Sequence, residues 1–155
     1  MMALSKYGIS VRILFEGIFV YFTWYFSAYP KVPKAYLNGH TKKIFTLDFS
    51  PITENHLASS SADGTIKMWS CDVGNGDNDK KPRWHAFNVF HANTSPVWKL
   101  KFTPFGEGLV TLDASHMSNN LMLWSASRSH NKGPVHKFYN HADAVQGILY
   151  WMCGF

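Results

Sequence analysis

An internal repeat of about 50 residues constrains this chain more than any other feature of its sequence. In the stretch 97–105, Phe102 and Pro104 stand 53 residues after Phe49 and Pro51. One histidine opens each unit: His40, His91 and His141. Self-similarity at a period of roughly 20 to 50 residues is typical of proteins built from stacked supersecondary units. The chain is therefore predicted to fold as a repeat protein.

Each unit consists of short strand-forming runs separated by turn signals. KIFTLDF (43–49) alternates between two faces, as a half-buried strand requires. HLASSS (56–61) and TIKMW (65–69) flank Asp63-Gly64, a pair typical of β-hairpin turns. The remaining predicted strands, including an outer fourth strand for each unit, are 86–90, 97–105, 108–112, 121–125 and 135–139. These patterns predict an all-β protein whose units are four-stranded meanders.

The turn residues and strand-end residues of the first unit resemble those of the WD-repeat family. Asn38-Gly39-His40, Asp63-Gly64 and IKMWS (66–70) are similar to that family's Gly-His, turn Asp and terminal Trp-Asp positions, with Ser70 in place of the usual Asp. The resemblance implies a partial WD-repeat β-propeller of about two blades plus strands of neighbouring blades. Its units would span about 38–90 and 91–139, with a third begun at 140–155, all within a domain at 31–155.

The resemblance also implies a set of hydrogen-bonded side chains inside each blade. In the first unit the tetrad would be His40, Asp63, Trp69 and the hydroxyl of Ser59, or of Ser61 if the strand register differs. A buried indole N–H and a buried imidazole both need partners, which makes such a set chemically reasonable. The second unit departs from the pattern and would have an incomplete set: His91, Trp124 and the hydroxyl of Thr111 or Ser115. His141 would mark the third unit.

The same residue types also occur in catalytic Ser-His-Asp triads. A hydrolase would need Ser59 or Ser61 as its nucleophile, but neither a nucleophile elbow nor an oxyanion loop accompanies these serines. The eight histidines lack the helical spacing of metal ligands, and the net charge of +5 is not clustered as nucleic-acid binding requires. We therefore predict a protein that is not an enzyme and that uses no cofactor, metal, small-molecule substrate or nucleic acid.

The first 30 residues form a hydrophobic segment whose nature the sequence leaves open. Residues 13–29 are apolar and aromatic, but they fall between the lengths of a signal-peptide core and a membrane-spanning helix. Glu16 would be costly at the centre of a membrane. A single-pass anchor at 13–29 therefore remains an alternative. Cys71 and Cys153 lie too far apart in sequence for a CxxC metal motif.

One stretch resembles a particular group of proteins within the WD-repeat family. KFTPFGEGLVT (101–111), together with LMLWS (121–125), is similar to the later blades of the large WD-repeat subunits of the GATOR complex, called SEA in yeast. The resemblance implies a scaffold that binds other propeller subunits and relays amino-acid sufficiency to the TOR kinase. It would be cytoplasmic and peripheral at the lysosome or vacuole, with indirect membrane association. Two blades cannot close a ring, so we expect open strand edges and dependence on partners.

Overall fold

The structure is a computed structural model of the 155-residue chain. It describes residues 3–4, 9–14, 17–22, 35–53, 55–72, 83–92, 96–113, 120–127, 133–139 and 148. For the strands before residue 35, the backbone pairing is described.

Within the described residues, twelve strands form three four-stranded antiparallel sheets. Sheet 1 contains β1 (Ala3–Leu4), β2 (Ile9–Leu14), β3 (Gly17–Phe22) and β4 (Ala35–Leu37), in that order. Sheet 2 contains β5 (Ile44–Phe49), β6 (His56–Ser61), β7 (Thr65–Asp72) and β8 (Arg83–His91). Sheet 3 contains β9 (Val97–Phe102), β10 (Gly108–Asp113), β11 (Leu121–Ser125) and β12 (His136–Phe138).

Sheet 2 is covered on both faces. Ile66 and Met68 on β7 point into a core shared with sheet 3, where they meet Leu100, Leu109 and other buried side chains. Trp69 points the opposite way and packs with Leu37 of β4, Ile44 and Leu57. Side chains alternate between the faces of a strand, so β7 contributes apolar side chains to both cores. Successive sheets therefore stack through continuous cores.

The meanders predicted from the repeat correspond to sheets 2 and 3. The predicted outer strand 86–90 lies within β8, and the predicted strand 135–139 contains β12. The predicted all-β architecture is confirmed for the described residues, with each sheet folded as one four-stranded meander. The third unit predicted at 140–155 lies outside the described residues, except for Ile148.

The N-terminal hydrophobic segment contributes strands. β2 pairs with β3 along its whole length, and β3 pairs with β4, which places these segments in a sheet with Ala35–Leu37. The sequence leaves the nature of residues 1–30 open, whereas the structure pairs Ala3–Leu4, Ile9–Leu14 and Gly17–Phe22 with Ala35–Leu37 in one four-stranded sheet. In the part of the chain that the structure describes, no helix is long and apolar enough to cross a membrane.

Candidate functional site

The site builds on the hairpin formed by β6 and β7. Ser59 lies in the middle of β6, Asp63 follows the end of that strand, and Trp69 lies along β7. His40 comes from the loop that enters β5 and reaches across to the hairpin. The antiparallel pairing of β6 with both neighbours brings these four side chains to one place, although the chain separates His40 from Trp69.

Four side chains form a continuous hydrogen-bonded set. His40 Nε2 lies 2.7 Å from Ser59 Oγ, and His40 Nδ1 lies 3.0 Å from Asp63 Oδ2. Trp69 Nε1 donates to Ser59 Oγ over 2.9 Å. We call these residues, His40, Ser59, Asp63 and Trp69, the tetrad.

The tetrad determines where the imidazole proton lies. Burial of His40 lowers its pKa, and this effect outweighs the opposing attraction of Asp63, so the ring is neutral at pH 7. A carboxylate only accepts hydrogen bonds, so Nδ1 carries the proton and donates to Asp63. Ser59 then donates its single proton to Nε2 and accepts from Trp69. Each nitrogen and oxygen atom in these contacts therefore has a hydrogen-bond partner.

Asp63 connects the tetrad to the backbone of two turns. Its carboxylate accepts from the Thr41 backbone N–H (3.0 Å), the Thr65 backbone N–H (2.9 Å) and the Thr65 hydroxyl (2.6 Å). Burial opposes ionisation of this carboxyl, but the hydrogen bonds from Thr65 and Thr41, with a smaller contribution from His40, lower its pKa to about 2. Asp63 is thus a stable anion that fixes the loop carrying His40 against the β6–β7 turn.

Gly39 is needed for the close approach of this loop to Trp69. A Cβ atom added at Gly39 would lie 3.1 Å from Trp69 Cη2. A side chain there would have to displace the indole, which is 2% exposed. In the Gly39-His40 pair, the glycine therefore leaves room for the indole and the histidine supplies the hydrogen bonds.

Ser61, the alternative hydroxyl, lies elsewhere in the hairpin. Its Oγ contacts the carbonyl oxygens of Lys42 and Lys43 at 3.1 and 3.0 Å, and it accepts from the Asp63 backbone N–H. Ser61 thus stabilises the turn, whereas Ser59 occupies the hydroxyl position of the tetrad.

The geometry of Ser59 differs from that of a catalytic nucleophile. The residue is completely buried, and its oxygen already accepts a hydrogen bond from an indole. A nucleophilic serine must present its oxygen to a substrate carbonyl beside an oxyanion site. The arrangement suits a structural connection between strands. Among the described residues, no group of three or more His, Cys, Asp or Glu side chains could hold a metal ion.

The second unit keeps only part of the set. Trp124 Nε1 donates to Thr111 Oγ1 over 2.8 Å, which matches the Trp69 to Ser59 contact in kind. His91 does not join this pair: it is the exposed last residue of β8, paired with Thr65. The prediction of His91 as the equivalent of His40 needs correction, because His40 precedes its strand by four residues and His91 precedes β9 by six. Ser115 and His141 lie outside the described residues.

Asp48 is a contact residue that the sequence analysis missed. Its carboxylate on β5 accepts from the Phe102 backbone N–H (2.9 Å) and from Lys101 Nζ (3.0 Å), both on β9. These bonds join β5 and β9, which are edge strands of sheets 2 and 3. The repeat contained a usable signal, because Lys101 stands 53 residues after Asp48, so the two units carry opposite charges at equivalent positions.

Comparisons with known proteins agree with this geometry. Residues 31–70, which contain the whole tetrad, match the family model described as "WD domain, G-beta repeat". The C-terminal WD40 domain of Sif2 has a similar fold, with a TM-score of 0.66 at 9% identity over 92% of this chain and 36% of that chain. The chain therefore contains a WD repeat and has the fold of a partial WD40 propeller.

Among the particular proteins that it resembles are GATOR2 complex proteins named WDR59. It is 32% identical to the GATOR2 complex protein Wdr59 of Drosophila melanogaster over 73% of this chain, and 36% identical to the human GATOR2 complex protein WDR59 over 75%. The chain spans about a tenth of the length of these relatives, 11% in each case.

Proposed function

We propose that this chain is a non-catalytic WD-repeat scaffold that binds other propeller subunits in a GATOR2-type complex. The tetrad supports the non-catalytic part, because its serine is buried and fully hydrogen-bonded inside a sheet. The likeness to WDR59 over three quarters of the chain supports the choice of complex. In this proposal the protein contributes to TOR signalling in response to amino acids, in the cytoplasm at the lysosomal or vacuolar surface.

Affinity purification from cells of the source organism tests the proposal. The full chain is expressed with an epitope tag, and co-purifying proteins are quantified by mass spectrometry against a tagged, unrelated WD40 domain of similar size. We expect enrichment of GATOR2 subunits over the control. Recovery equal to that of the control would contradict complex membership.

The non-catalytic part has its own test. A fluorophosphonate probe, which labels activated serines, should leave the wild-type chain unlabelled because Ser59 is inaccessible. Labelling that disappears in the Ser59→Ala variant would show a reactive serine and would contradict a purely structural tetrad.

A further inference from the structure

An open groove lies between sheets 2 and 3, at the opposite end of the strands from Asp63. Residues 50–53, which follow β5, form one wall, and residues 103–107, which follow β9, form the other. The groove has a volume of about 570 Å³, which is within the range of pockets that bind ligands or peptide side chains. The second wall, 103–107, lies within KFTPFGEGLVT (101–111).

The two walls are held in contact with each other. Gly106 has a φ of +68°, and a Cβ atom there would lie 3.1 Å from Ile52 Cγ1 and 3.3 Å from Ser50 Oγ. Thr103 Oγ1 accepts from the Gly108 backbone N–H (3.0 Å), and Ser50 Oγ accepts from the Thr53 backbone N–H (3.1 Å). Both loops are therefore fixed by local hydrogen bonds, so a ligand would meet a preformed surface.

The groove has an apolar floor and an exposed apolar rim. Met68 and Phe102 are buried in the floor, beside Phe87, whose ring lies 4.9 Å from the imidazole of His56. At the rim, Ile52 is 63% exposed and Phe105 is 70% exposed. Large apolar side chains exposed around a concavity are typical of protein-binding sites.

The charge of the groove is negative. Glu107 is the one lining carboxylate among the described residues, and it forms no ion pair with any of them. Burial lowers the pKa of His56, which is therefore neutral at pH 7 and does not offset this charge. Serine and threonine hydroxyls provide the other polar groups of the lining.

From these features we infer that the groove binds an extended segment of a partner protein, with an aromatic or aliphatic side chain on the floor and a Lys or Arg beside Glu107. An open groove with apolar side chains at its rim suits a peptide, and the carboxylate of Glu107, which forms no ion pair with a described residue, favours a cation. The inference rests on the proposed role as a protein-binding scaffold, but it does not depend on membership of a particular complex.

Selection from a random dodecapeptide library displayed on phage, against the immobilised full chain, tests this inference. We expect enriched peptides that combine an aromatic or aliphatic residue with Lys or Arg. The best peptide is then synthesised with a fluorescein label, and its affinity is measured by fluorescence anisotropy. Failure to enrich a shared motif, or enrichment of acidic peptides, would overturn the inference.

Exposed residues of the groove allow variants that leave the cores intact. Phe105→Ala and Glu107→Lys should each weaken binding of the labelled peptide about tenfold or more, as expected for loss of a principal contact. Exchange of the peptide's Lys or Arg for Glu should restore binding to Glu107→Lys. Phe138→Ala, which removes an exposed aromatic ring on β12, is the matched control and should leave the affinity unchanged.

Equal affinities for wild type, Phe105→Ala and Glu107→Lys would overturn the assignment of the site. Concentration-dependent dimerisation that Phe105→Ala abolishes would assign the groove to a second copy of the chain and would also overturn it. The experiments can reject the peptide-binding groove and the membership of a GATOR2-type complex independently of each other. Loss of peptide selection with retained GATOR2 co-purification rejects the groove alone, whereas the converse rejects complex membership alone.

Discussion

His40 illustrates how a single buried side chain is made compatible with a sheet core. Its ring is neutral because burial penalises the charged form, and both nitrogens have partners because Asp63 accepts and Ser59 donates. Protonation would give Nε2 a hydrogen that competes with the Ser59 proton. The tetrad therefore depends on the neutral imidazole.

This dependence predicts that acid destabilises the chain. The pKa of His40 in the folded state lies below its ordinary value of 6.5, so the unfolded state binds the proton first as the pH falls. The free energy of unfolding should be highest above pH 7 and should decline as the pH falls through 6.5. Asp63, with a pKa of about 2 against an ordinary value of 3.8, adds a further loss between about pH 4 and pH 2.

Urea unfolding at a series of pH values measures this effect. His40→Gln should reduce the slope between pH 7 and pH 5, but should not remove it, because His56 is shifted in the same direction. His91→Gln removes an exposed imidazole and serves as the control. Stability that rises as the pH falls through 6.5 would contradict a neutral His40.

Gly39→Ala should destabilise the chain by about 1–3 kcal/mol, because the new methyl group would press against Trp69. Gly133→Ala is the matched control, since a Cβ atom there has nothing within 4 Å, and it should change the stability by less than about 0.5 kcal/mol. Thermal unfolding of both variants measures the difference. Equal melting temperatures would contradict this prediction, because they would show that the loop accommodates the new methyl group without loss of stability.

Much of the tetrad could be predicted from the sequence because its members occupy fixed places around one hairpin. Asp63 precedes Gly64 in the turn, and Trp69 follows at a fixed distance along the next strand. The choice between Ser59 and Ser61 could not be made, because both point to the same face of β6 and only the pairing with β7 distinguishes them. The spacing of the histidines predicts His91 as the equivalent of His40. It does not reveal that the segment from His91 to β9 is two residues longer than the segment from His40 to β5.

At the scale of the strands, the contacts between sheets depend on polar groups as well as apolar ones. Asp48 caps the backbone of Phe102 on the neighbouring sheet, close to the apolar core that β9 shares with β7. Its carboxylate also meets Lys101, but the lysine side chain is 48% exposed. A solvated ion pair contributes little, whereas a hydrogen bond to a half-buried backbone N–H contributes more.

Substitutions at this contact should therefore have unequal effects. Asp48→Ala should cost about 1–3 kcal/mol, because it leaves the Phe102 N–H without its acceptor. Lys101→Ala removes only the exposed partner and should cost at most about 1 kcal/mol. Chemical denaturation measures both values. A larger loss for Lys101→Ala than for Asp48→Ala would reverse this assignment.

The strands of sheet 1 show where prediction from the sequence ends. The alternation of β5 and the turn before β7 identify strands in sheet 2, but residues 13–29 form an almost continuous apolar run. Such a run is equally consistent with a buried strand and with a membrane segment, because periodicity does not separate them. The pairing of β3 with both β2 and β4 is what places Gly17–Phe22 in a sheet.

At the scale of the whole molecule, sheets 2 and 3 share one core. Ile66 and Phe90 of sheet 2 pack with Leu109 and Trp124 of sheet 3, so neither sheet can open without exposing the other. The core around Trp69 links sheet 2 to β4 in the same way. We therefore expect a local defect in the tetrad to lower the stability of sheets 2 and 3 together.

Two adjacent serines of β6 provide the most direct test that the tetrad is structural. Ser59→Ala leaves Trp69 Nε1 and His40 Nε2 without a partner, whereas Ser60 Oγ is buried but forms no hydrogen bond with a described residue. The measurement is the free energy of unfolding of the full chain in urea. We predict a loss of about 1–3 kcal/mol for Ser59→Ala and little or no loss for Ser60→Ala. Equal values for the two variants would contradict a structural role for the tetrad.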